Sequence, residues 1–255
     1  ETYVENVTIT AAEAYALIKK DPDSFLTAAV SPGMLLEEFR RAAGDDAAGL
    51  VHITLSGAMS AGYRTALLAA EELERERPGF PVRVVDSRTV AGAQALIVLR
   101  VAEAASRGMG PEELAALAQR ARERTGGIMF LDTLRYIYRT GRMSKTAARL
   151  ASMFNIKPIN RVTDEGTVEM VDRVRKRSDG FKKVISLIEQ EAGDRPLHFM
   201  VSHAAAPELA EELCGHIRER FQCLSLTVSD YSPVMGYGAG PGALFVGFQP
   251  EIPLS

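Results

Sequence analysis

The chain has 255 residues, 46% hydrophobic and 25% charged, with a formal net charge of -3 at pH 7. This globular composition excludes bulk disorder, and the slight negative charge argues against nucleic acid, whose phosphate backbone needs a concentrated basic surface. There is no signal-peptide pattern and no run of about eighteen apolar residues, so a cytoplasmic protein without a transmembrane segment is expected.

Thr10 and Glu13 form a capping box, so "TAAEAYALIKK" starts a short helix. Ser31-Pro32 supply an N-cap and a first-turn proline for the next one. "GLVHITL" (49–55) is a short apolar, β-branched run that reads as a buried strand, and "SGAMSAGYRTALLAAEELERER" then switches to helical periodicity. "VRVVD" (82–86) is a second strand, followed by helices in "VAGAQALIVLRVAEAASR" and, from Pro111, "PEELAALAQRARER". "GIMFL" (127–131) is a further buried strand. Such alternation predicts a mostly parallel sheet with helices on both faces.

Beyond Pro158 the pattern changes. "PINRVTDEGTVEMVDRVRKR" reads as two strands joined by a turn at Asp164-Glu165-Gly166. A helix (179–191), the strand "LHFMVSH", a helix (206–220), the strand "LSLTVSD" and a closing "ALFVGF" follow. We therefore expect an α/β domain over 1–156 and an α+β domain over 157–255.

Several features carry potential chemistry. Gly236, Gly238, Gly240 and Gly242 fall at every second position of "VMGYGAGPGALFVGF". A strand rather than a helix follows them, and no Lys-Ser/Thr pair does, which disfavours a nucleotide phosphate loop. A tight turn with left-handed residues, or close approach of backbone to some other ligand, remains. Ser56 and Ser60 lie in the turn between a buried strand and a helix, at the end of the sheet where open α/β folds bind ligands. Each is either an N-cap or part of a modest carboxylate site. No G-x-S-x-G is present, and none of His52, His198, His203 and His216 is an obvious partner for a serine nucleophile. Cys214 and Cys223 lack metal-ligand spacing, and a disulfide between them is not expected. Arg135, Tyr136, Tyr138, Arg139, Arg142 and Lys145 concentrate basic and aromatic character in one segment, and "DRVRKR" (172–177) adds four cations. These runs are solvated faces, or else a surface for an acidic partner or anionic head group.

In chain order, five stretches resemble the DegV family of bacterial fatty-acid-binding proteins. "TAAVSPG" resembles its T-S-x-P-S-x-G, "LSGAMSAGYRTA" its serine-rich loop, and "VVDS" its strand-end D-S. "DTLRYIYRTGRMSKTAARLASMFNIKP" resembles its D-T-L…G-G-R-I-S…N-I-K-P block, and "GYGAGPGAL" its G-x-H-x-G-P-G-A-L ending. The resemblance implies a two-domain DegV-like fold holding one long-chain fatty acid in an apolar tunnel between the domains. It implies no catalysis, metal or cofactor in this chain, and a separate fatty acid kinase as the partner that receives the acid. By resemblance Thr27 and Ser60 receive the carboxylate, and Ser56, Gly57, Arg142, Gly238, Ala239 and Gly240 surround the head group. Burying a chain of about sixteen carbons gains on the order of 12 kcal/mol gross, so a few hydroxyl donors suffice for the head group.

The departures are specific. Ala28, Gly57 and Gly62 replace small hydroxyl residues of the family pattern, and Gly238 stands where relatives carry a histidine tied to phosphorylation. The loss of that histidine leaves kinase coupling in doubt and lipid binding intact. The family's first strand and its D-S-x-x-D-L loop precede the position of Glu1, so a trimmed chain is expected. Two rivals stay open: a phosphotransferase, since the fold is shared with the kinase domain of dihydroxyacetone kinases, and a ligand-free interaction protein.

Overall fold

Helix α1 (Ala11–Lys20) starts at its capping box: Glu13 N–H donates to the Thr10 hydroxyl at 3.3 Å, and Thr10 N–H donates to the Glu13 carboxylate at 2.8 Å. These atoms belong to a computed structural model that describes residues 1–5, 7–142 and 156–254. Ser31 caps α2 (Pro32–Ala42) by accepting Met34 N–H at 3.3 Å. Strands β1 (Leu50–Thr54) and β2 (Val82–Asp86) pair in parallel, from Leu50 opposite Val82 to Thr54 opposite Asp86. Helices α2 and α3 (Gly62–Glu76) bury Phe39, Ala69 and Leu73 against Val82. Helices α4 (Ala91–Ser106) and α5 (Pro111–Arg122) bury Ile97, Val101 and Leu117 with Val85. Two parallel strands thus carry helices on both faces.

Strand β3 (Gly126–Phe130) does not extend that pair. It belongs to a six-stranded sheet of order β5-β4-β3-β8-β6-β7, built with β4 (Lys157–Val162), β5 (Val168–Val174), β6 (Leu197–His203), β7 (Cys223–Asp230) and β8 (Leu244–Pro250). Within this sheet only β6 and β7 run parallel. The larger sheet therefore takes strands from both sides of residue 157. Its glycines explain why β3 goes there. A Cβ on Gly126 would lie 2.1 Å from the Phe248 ring, and one on Gly127 would lie 2.6 Å from the Phe245 ring. Both rings come from β8, whose closest neighbour must be nearly bare.

Helices α7 (Arg177–Ala192) and α8 (Pro207–Arg220) cover one face of this sheet over Ile128, Phe130, Ile159, Phe199 and Val246. On the other face the start of α4 meets β8 backbone to backbone: a Cβ on Gly247 would lie 2.4 Å from Ala93 N. The expected loop through the C-terminal glycines is partly helical. Ser232 and Pro233 open α9 (Pro233–Ala239), so Gly236 and Gly238 are helical, and only Gly240 (φ 83) and Gly242 (φ 86) are left-handed. Cys214 and Cys223 are free thiols, and burial pushes the Cys214 thiol up to about 11. Among the described residues no helix is long and apolar enough to cross a membrane.

Candidate functional site

The C-terminal end of β1 feeds a turn whose two serines are used differently. Ser56 is fully buried; its hydroxyl donates to Gly166 O at 2.6 Å, in the turn between β4 and β5, and accepts Ala58 N–H at 3.2 Å. Gly57 N–H donates to Asp86 Oδ1 at 3.1 Å, which also accepts Arg88 N–H at 2.8 Å. These groups tie the turn to β2 and to the larger sheet. Ser60, half-buried, accepts Gly62 N–H at 3.2 Å. Among the described residues the Ser60 O–H has no acceptor. The α3 helix that follows has no side-chain cap, because its N-cap residue is Ala61. An anion at this point meets a hydroxyl donor and the positive end of a helix.

Arg142 reaches the same turn, and α9, the short helix before this arginine and the segment before α2 are linked in succession to its loop. Arg142 donates through Nε to Met59 O at 3.4 Å and through a second nitrogen to Thr140 O. A Cβ on Gly238 would have Thr140 Cγ2 as its nearest neighbour, 3.8 Å away, so α9 runs alongside this arginine's loop with room to spare. Ala239 is buried, and the position of a Cβ on Gly240 is taken by the Tyr136 ring at 2.1 Å, in the short helix α6 (Arg135–Arg139). Thr27 is exposed in the irregular segment between α1 and α2, and its hydroxyl makes no hydrogen bond to a described residue. That segment is fastened nearby: the Phe25 ring lies 5.7 Å from Tyr237 of α9, and Arg139 sits 4.5 Å over Tyr237 while bonding Pro22 O and Asp23. Lys145 and the rest of the motif over 143–155 lie outside the described residues.

An apolar cluster that the sequence did not reveal lies behind these residues. Tyr15, Leu131, Ile137, Tyr231 and Phe245 are buried in it, and Phe25, Leu55, Met59, Met235 and Tyr237 form a half-buried fringe. The fringe residues are close chain neighbours of Thr27, Ser60 and Gly238. Arg88 (φ 50) and Ala91 (φ 49) hold left-handed backbone on either side of Thr89, whose carbonyl accepts Ser56 N–H at 2.8 Å. Such strain in residues with a Cβ concentrates at functional sites.

The histidines stand elsewhere. His52 packs on Phe39 at 5.1 Å and its pKa is lowered by burial; His216 packs on Phe181 at 6.0 Å. His198 bonds Ser225 and Glu251, both at 2.9 Å, and His203 faces Asp230 at 3.3 Å. No group of three or more His, Cys, Asp or Glu is placed to hold a metal among the described residues. A polar cavity of about 560 Å³ is lined by Arg124, Arg161, Asp164, Glu169 and Glu191, and a groove of about 490 Å³ runs between α3 and β2. Neither is lined by Thr27, Ser60 or Arg142.

Residues 1–251 match the model of a family described as "Uncharacterised protein, DegV family". A DegV domain-containing protein of Streptomyces coelicolor is 33% identical over 234 residues, which is 91% of this chain and 80% of that protein. The fold is similar to that of a DegV family protein from Eubacterium eligens solved with heptadecanoic acid, with a TM-score of 0.88 and 21% identity over 98% of this chain and 89% of the other. It is similar too to the fatty acid kinase B3 protein of Streptococcus pneumoniae loaded with linoleic acid, with a TM-score of 0.88 and 19% identity over 98% and 87%.

Proposed function

Since the chain belongs to the DegV family, we propose that it holds one long-chain fatty acid, its tail in the apolar cluster and its carboxylate at the Ser60 turn. The observation that carries this reading is the Ser60 hydroxyl. Its hydrogen has no acceptor among the described residues, and it stands beside Met59 on the fringe of the protein's apolar cluster. A carboxylate accepts that hydrogen, and hydrogen bonds to a charged acceptor are the strong ones. The α3 amides beyond Gly62 and the Arg142 guanidinium add positive potential on the same side. Thr27, whose hydroxyl has no partner among the described residues, closes over the head group from the segment fastened at Phe25. Ser56 and Gly57 support the turn through Gly166 and Asp86, and Ala239 and Gly240 carry the α9 end of the pocket. The acid then lies where β1, β2 and their helices meet the six-stranded sheet.

On this reading the protein is a cytoplasmic carrier that performs no chemistry and needs no cofactor. The solved relative named as a fatty acid kinase component supports a kinase as the recipient. Gly238 in place of a histidine leaves the acid held without a titratable side chain at that position. Denaturing mass spectrometry of organic extracts from purified protein should release a long-chain acid, and protein that releases none and takes none up would overturn the reading. Thr27→Ala combined with Ser60→Ala should weaken binding of the free acid more than that of its methyl ester. Equal losses for both ligands would sink the head-group assignment.

A further inference from the structure

Asn160 lies in the middle of β4 and is fully buried, yet among the described residues neither its amide nitrogen nor its amide oxygen has a hydrogen-bond partner. Strand register fixes where it faces. Asn160 stands opposite Met129 on β3, and Met129 opposite Phe245 on β8. Directly opposed residues share a face of the sheet. Met129 and Phe245 belong to the apolar cluster behind the Ser60 turn, whereas the alternating residues Ile128, Phe130 and Ile159 belong to the core under α7 and α8. Asn160 therefore aims a donor and an acceptor into the same apolar region that the fatty-acid reading gives to the tail. The register shift of the β4–β5 pairing falls between Ile159 and Asn160, and bulges recur beside binding sites, where they re-aim a side chain.

A buried amide without partners is costly, and the cost disappears only if both of its functions are answered. A methylene chain answers neither, and a carbonyl or carboxylate answers only the nitrogen. A hydroxyl answers both, because it donates to Oδ1 and accepts from Nδ2. We infer, on the basis of the fatty-acid reading above, that Asn160 is a specificity residue for a hydroxylated acyl chain.

The test compares octadecanoic acid with a panel of positional isomers of hydroxyoctadecanoic acid, by competition against a fluorescent fatty acid, on the wild type and on Asn160→Leu. The wild type should bind at least one isomer about tenfold more tightly than octadecanoic acid, with isomers hydroxylated out of register gaining nothing. Asn160→Leu, close in shape and without polar atoms, should lose that preference and bind octadecanoic acid more tightly than the wild type does. A flat wild-type panel, as a water answering Asn160 would give, overturns the proposal, and so does a preference unchanged in the variant. If the variant does not fold, the wild-type panel decides alone. Failure of the wild type to bind any acid in the panel instead overturns the fatty-acid reading itself.

Discussion

Gly238 and Gly240 are two residues apart and answer to opposite constraints. Gly238 is helical, and among the described residues outside its own helix a Cβ there would meet no heavy atom nearer than Thr140 Cγ2 at 3.8 Å, whereas Gly240 has φ 83 and the Tyr136 ring 2.1 Å from where its Cβ would be. Gly238→Ala should therefore stabilise the protein by roughly 0.5–1 kcal/mol. Gly240→Ala combines left-handed strain with a clash and should cost more than about 2 kcal/mol. Urea denaturation of the two variants reads the difference in sign. The serines divide in a similar way. Ser56→Ala leaves the Gly166 carbonyl and the Ala58 N–H without their partner and should cost about 1–3 kcal/mol of stability. Ser60→Ala should leave the melting temperature nearly unchanged and act on ligand affinity. Sequence spacing presents the two serines alike; only the destination of each hydroxyl hydrogen separates them, and for Ser56 that destination is 110 residues away.

At the level of elements, local signals were legible wherever a helix start carries its own chemistry. The Thr10–Glu13 box predicts α1, and Ser31-Pro32 predicts α2. The same Ser-Pro pair at 232–233 marks α9, but the glycines after it read as a turn, since glycine disfavours helix interiors. Those glycines serve tertiary contacts instead, Gly236 making room for Tyr15 and Gly240 for Tyr136. Strand β3 was legible as a strand but not as a member of the larger sheet, because pairing depends on which aromatic side chains need a bare partner, here Phe245 and Phe248. The capping box also makes a pH prediction. The Glu13 carboxyl is held below its ordinary 4.5 by the Thr10 hydroxyl and N–H. A lowered folded-state pKa gives stability that is complete above the unfolded value and is lost as pH falls through the folded one. The stability gap between the wild type and Thr10→Ala should therefore be widest near neutral pH and shrink as pH falls below the ordinary 4.5, as followed by denaturation at neutral and acid pH.

For the whole molecule, the contact between α4 and β8 joins the two sheets. The Ala93 amide and the Gly92 carbonyl carbon lie 2.4 and 2.6 Å from where a Gly247 side chain would begin. Backbone cannot yield as a flexible side chain does, so Gly247→Ala should cost more than about 2 kcal/mol. It should also lower the cooperativity of thermal unfolding, read by calorimetry, because the helices on β1–β2 lose their seat on the larger sheet. The position of β8 has a consequence for synthesis. It lies between β3 and β6, pairing Phe130 with Leu244 on one side and His203 with Leu244 on the other. Until residues 244–250 leave the ribosome, β5-β4-β3 and β6-β7 are separate pieces with open edges, and the wall built from Met129 and Phe245 does not exist. On the fatty-acid reading, a nascent chain would therefore have nowhere to take up the acid, and loading would have to wait for this one strand to close the sheet.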